Sequence, residues 1–172
     1  MDKEPISDYI KEVYPVLERI LYNIAAYKTI QSFISKDDSL IENPYEQEFW
    51  VEMLNNAIQM AIIDWCKIFG SERDNPYHYK KHLENEINGI GQIKEPMILF
   101  RNKFAVHWTN KKVPVPYLDG ARELIYAFDQ VIRGKYDLDG YPELQNIYEC
   151  YQLRVEDVCE GYGLYKQDRD SE

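Results

Sequence analysis

From Tyr45 to Phe69 the apolar residues come in pairs set three and four apart: Phe49-Trp50, Met53-Leu54, Ala57-Ile58, Ala61-Ile62 and then Trp65. An α-helix turns such pairs into one continuous stripe, whereas a strand would scatter them over both faces. A helix this apolar has to be buried by other elements, so the pattern predicts a bundle with this helix at its centre. Gly70-Ser71 closes it, as a glycine just past the last turn does.

The flanking segments repeat the pattern. Ile10, Val13, Leu17, Ile20, Leu21, Ile24 and Ile30 mark a helix from Ile6 to about Ser35, with Ser7 at its start and a kink or late start expected at Pro15. His78 to Ile87 predicts a shorter helix. Ile93 to about Trp108 predicts another, entered through Lys94-Glu95-Pro96 and stopped by Val113-Pro114-Val115-Pro116. Tyr117 to Val131 forms a fifth, capped by Asp119 or a neighbour, and Pro142 to Tyr162 a sixth. No segment alternates with period two. The expectation is a single all-α helical bundle of five to six helices over residues 1–165, with 166–172 as a frayed acidic tail.

Three cysteines, Cys66, Cys150 and Cys159, are an odd number without a CxxC pair. That spacing argues against a disulfide framework and a zinc knuckle, and suits reduced thiols in the cytoplasm. The opening MDKEPISDYI has no apolar core of the signal-peptide kind. No apolar run reaches the roughly 20 residues that span a bilayer, so no membrane partner is expected.

A formal net charge of −10 counts against a general nucleic-acid binder, because phosphate affinity is largely electrostatic. The charge is uneven, however. Arg101 to Lys112 holds four basic residues and no acidic one, while Asp137 to Glu172 holds ten acidic and three basic. A local positive patch can still hold one phosphate and bind RNA transiently.

Within that patch lies Arg101-Asn102-Lys103-Phe104-Ala105-Val106-His107. An arginine offers a permanent forked charge to phosphate oxygens, and a histidine gives or takes protons near neutral pH. On a straight helix Arg101 and His107 stand about 240° and about 9 Å apart, so they do not share a face. Either the helix breaks near His107, or another segment or another copy of the chain completes the site. The alternative is structural: a helix-terminal histidine, an arginine paired with a carboxylate and an asparagine cap.

An all-α chain with an arginine, a following polar residue and a histidine a few places on resembles the HEPN superfamily. The stretch Asp64-Trp65-Cys66-Lys67-Ile68-Phe69-Gly70 is similar to its AbiU-type abortive-infection branch, and the likeness runs from about Tyr45 to Lys112. The resemblance implies a HEPN-like bundle that dimerises so that two motif helices meet in one cleft. It implies metal-independent RNA cleavage, with the neighbouring 2′-hydroxyl as nucleophile, in bacterial defence or a toxin–antitoxin pair. Arg101 would hold the scissile phosphate, His107 would act as acid or base, and Asn102 would orient one of them. Lys103, Lys111 and Lys112 would contact RNA phosphates, and no cofactor or metal is called for. In some HEPN toxins a tyrosine two places after the histidine is modified by a partner nucleotidyltransferase. Thr109 stands there, which counts against an antitoxin of that class.

Other readings stay open. Many HEPN proteins are non-catalytic, so the same fold could serve as an interaction or nucleotide-binding module. His78, His82 and Glu86 fall one turn apart on a helix, with Lys80 and Lys81 between them, and admit a solvated face, a second phosphate-contact surface or a metal site. Asp64 either bonds a tyrosine or backbone amide in the core or supports Arg101 from behind.

Overall fold

The structure, a computed structural model, describes residues 3–36, 44–71, 73–83, 87, 89–106 and 114–170; for 104–106 and 164–170 the helix backbone alone is described. Among the described residues the fold has five α-helices: α1 (Asp8–Lys36), α2 (Pro44–Phe69), α3 (Ile90–Phe100), α4 (Leu118–Lys135) and α5 (Leu144–Asp170). A 3-10 turn, Tyr79–Lys81, precedes α3, and a π-helical stretch, Arg101–Val106, continues it. Among the described residues there is no strand, only a single bridge between Glu4 and Tyr136. The fold is an all-α helical bundle.

The central helix is α1 rather than α2. It packs along both α2 and α5, and Ile10, Val13, Tyr14, Leu17, Ile20, Leu21 and Ile24 are all buried. Each such side chain, fully removed from water, contributes about 1.5–3 kcal/mol. The N-terminal half of α2 instead exposes Tyr45, Phe49, Val51 and Met53. Its apolar stripe is wider than its neighbours cover, and that is why periodicity overstated its burial. Its C-terminal half is core: Ile62, Trp65 and Phe69 meet Met97 and Phe100 of α3 and Phe128 of α4 in one cluster.

Helix ends follow local chemistry. The Ser7 hydroxyl accepts from the Ile10 amide and starts α1 as expected. Pro15 does not delay the helix, which starts at Asp8 and runs through it. The proline lies on the exposed side, where water can serve the carbonyl that its missing N–H leaves free. Of the cap expected at Asp119 or a neighbour, the N-cap position falls to the neighbour Tyr117, which makes no side-chain capping hydrogen bond. Asp129 does the capping elsewhere. Its Oδ2 accepts from the Leu144 amide at 3.0 Å and so ties the start of α5 to α4.

The short helix expected over His78–Ile87 reduces to the 3-10 turn within the described residues. His78 is the N-cap in extended conformation and accepts from the Lys80 amide, while the His82 amide donates to Tyr79. A side chain that competes for backbone donors closes a turn and stops helix propagation. The motif helix begins three residues earlier than expected, after Gly89 at φ 85°. Pro96 therefore falls inside α3 instead of in its first turn.

Candidate active site

The motif lies where α3 changes its winding. The hydrogen-bond step lengthens from Arg101 to Val106, giving a π-helical stretch, and such single-turn bulges often accompany functional sites. The sequence estimate assumed a straight α-helix over this span. With more residues per turn, the separation derived from 100° per residue no longer applies.

Arg101 is half-buried against α2 at the first residue of the stretch, and Asn102 and Lys103 are exposed beside it. Nε and Nη2 of Arg101 both donate to Asn102 Oδ1, at 3.1 and 2.9 Å. The amide thus orients the guanidinium without neutralising it. Among the described residues no carboxylate pairs with Arg101. His107, Lys111 and Lys112 lie outside the described residues, as does Thr109.

Two neighbours of Arg101 were not connected with it in the sequence reading. Cys66 of α2 is buried, and burial pushes its thiol up to about 11, although the nearby charges of Arg101 and Lys94 pull the other way. Lys94 is seven residues before Arg101, so it lies on nearly the same face of α3, about two turns away. That spacing was available in the sequence as a signal. Both cations are half-buried in a protein that pairs many of its other basic groups with carboxylates.

A surface hollow of about 560 Å³ adjoins this point. It is lined by Glu95, Pro96, Ile98, Leu99, Asn102 and Pro114. Leu99 is 45% exposed there, and Val115 is exposed next to Pro114. An apolar edge therefore borders the exposed amide that holds Arg101.

Asp64 does not reach the motif. It is fully buried, and its two oxygens are taken by Arg19 of α1 and Lys67 of its own helix. Neither the tyrosine or backbone partner nor the support of Arg101 foreseen from sequence occurs. Burial raises the Asp64 carboxyl, but hydrogen bonds from Arg19 and Lys67 outweigh it and hold it below the usual value.

The two neighbouring histidines do not form the face that their spacing suggested. His78 is buried and sits beside the Tyr79 ring, so it is not part of a solvated surface. His82 stacks on Tyr9 at 3.7 Å, and its Nε2 donates to the Pro76 carbonyl at 2.7 Å. Glu86 lies outside the described residues. Among the described residues no group of three His, Cys, Asp or Glu is placed to hold a metal.

The class these features define is an all-α bundle with a polar Arg–Asn pair at a π-helical turn. No known family model, curated protein or solved structure matches the chain. No helix among the described residues is long and apolar enough to cross a membrane.

Proposed function

We propose that this chain is a HEPN-type, metal-independent endoribonuclease that acts as a homodimer in a bacterial defence or toxin–antitoxin setting. The observation that carries the reading is the Arg101 guanidinium, anchored on Asn102 and paired with no carboxylate among the described residues. A fixed, uncompensated fork of donors suits a phosphodiester whose charge grows in the transition state.

In this scheme the RNA 2′-hydroxyl attacks the adjacent phosphorus. The new bond joins O2′ to phosphorus, and the bond from phosphorus to the 5′-oxygen of the next nucleotide breaks. His107 takes the proton from the 2′-hydroxyl or supplies one to the departing 5′-oxygen. Arg101 holds the non-bridging oxygens, and Lys103, Lys111 and Lys112 contact neighbouring phosphates. The apolar edge at Ile98 and Leu99 beside Asn102 supports pairing with a second copy of the chain. Two motif helices would then face one strand of RNA.

The test is cleavage of single-stranded RNA in the presence of chelator. The wild type cleaves, and Arg101→Ala and His107→Ala each lose at least about a hundredfold in rate, the scale of one lost charge-stabilising or proton-transferring group. Equal cleavage by all three, or none by the wild type, contradicts the proposal.

A further inference from the structure

A second site lies apart from the motif, in a cleft of about 430 Å³ walled by α1, α4 and α5. That volume falls in the range of small-molecule pockets. At the cleft, Lys28 of α1 and Arg122 of α4 both pair with the same oxygen of Asp119. Two cations on one carboxylate leave a positive charge over and Lys36 adds another, while Glu156 and Glu160 of α5 balance them from the opposite wall.

The Arg122 guanidinium lies over two aromatic rings, 4.9 Å from the centre of Tyr148 and 5.9 Å from that of Tyr126. Its Nε and the hydroxyl of Thr29, both from residues that line the cleft, are buried with no hydrogen-bond partner among the described residues. Buried polar atoms in folded proteins nearly always have partners. Those two atoms are closed to solvent, so the ligand contacts fall to the open ends of Lys28, Lys36 and Arg122, a cationic wall that suits an oxygen-rich anion. Along α5 the lining changes character: Gln152, Glu156 and Glu160 offer acceptors. A bare anion would gain nothing from that side, whereas a ligand with donors would.

We propose that this cleft binds a small phosphate monoester that also carries hydroxyl or amine donors. The phosphate seats against Lys28, Lys36 and Arg122, and the donors face Glu156 and Glu160. The site is independent of the RNA-cleaving reading, because no residue of the motif lines it.

Calorimetric titration of the full chain with glucosamine 6-phosphate and, separately, with inorganic phosphate tests this. Both bind at one site per chain, and the amino-sugar phosphate binds about tenfold more tightly through its added charge-assisted bonds. Lys28→Gln and Arg122→Gln weaken both ligands by about tenfold or more, as loss of a charged donor to phosphate does. The double change Glu156→Gln with Glu160→Gln weakens only the amino-sugar phosphate. Urea midpoints accompany each variant. Should Arg122→Gln fail to fold, Lys28→Gln, at the rim of the cleft, decides alone. No binding of either ligand by the wild type, or binding undiminished in Lys28→Gln, overturns the site. Equal affinity for the two ligands overturns the donor-facing half of the proposal.

Discussion

Asp64 of α2 and Arg19 of α1 form an ion pair in which the carboxylate has no solvent exposure and the guanidinium is partly open to water. Lys67 takes the other carboxylate oxygen at 2.6 Å. The pair bolts the two most extensively packed helices together, and its value depends on the carboxylate staying charged. Arg19→Ala leaves a buried charge with one partner and destabilises by about 3 kcal/mol, measured by urea unfolding.

The same carboxylate gives a pH signature. Its folded-state pKa is held below the ordinary 3.8, so the stability it contributes is complete above that value. It is lost as pH falls through the lower folded value. Asp64→Asn therefore removes part of the acid-side slope below about pH 4 while lowering stability at pH 7. An unchanged slope in the variant would show that the charge is not held as described.

Asp129 joins three elements. It accepts from Arg133 Nε and the Leu144 amide, both at 3.0 Å, while Arg133 also reaches Tyr14 and the Pro142 carbonyl. Asp129→Ala removes the α5 cap and strands a half-buried arginine, a loss of about 2–3 kcal/mol in urea unfolding. Tyr14→Phe removes one member of the network and loses about 1 kcal/mol.

The thiols differ in reactivity. Cys150 is exposed, while Cys66 and Cys159 are buried with their pKa values raised by burial. Because the thiolate is the reactive form, native protein at pH 8 takes up one equivalent of iodoacetamide quickly, at Cys150. The other two react only on unfolding. Mass spectrometry of the modified chain reads this directly, and rapid labelling of Cys66 would contradict the packing of α2 against Arg101 and Lys94.

The dimer claim rests on the edge of α3. Leu99 is exposed and outside the buried core cluster, so Leu99→Glu leaves the stability within about 0.5 kcal/mol of wild type in urea unfolding. Sedimentation velocity shows wild type as a dimer and the variant as a monomer, with RNA cleavage falling in parallel. A monomeric wild type removes the shared cleft from the account.

Much of the bundle was legible because apolar spacing reports helices well: the cores of α1, α2, α4 and α5 sit close to where periodicity placed them. Three features were not. The 3-10 turn at Tyr79 was read as helix because spacing cannot show that the His78 side chain takes a backbone donor. The central position of α1 depends on which helices pack together, and no single helix encodes that. The π-helical stretch at Arg101 changes the winding without any composition signal. At the candidate site, the Arg101–Asn102 pair was visible as adjacent residues. The Lys28–Asp119–Arg122 cluster was not, since it joins segments 91 residues apart in the chain.

The most direct measurement uses an RNA oligonucleotide cut by the wild type in chelator, resynthesised with a single 2′-deoxy nucleotide on the 5′ side of the cleaved bond. The account predicts a 2′,3′-cyclic phosphate on the normal product and no cut at the altered step. Cleavage at the 2′-deoxy position, or product ends without the cyclic phosphate, would contradict it.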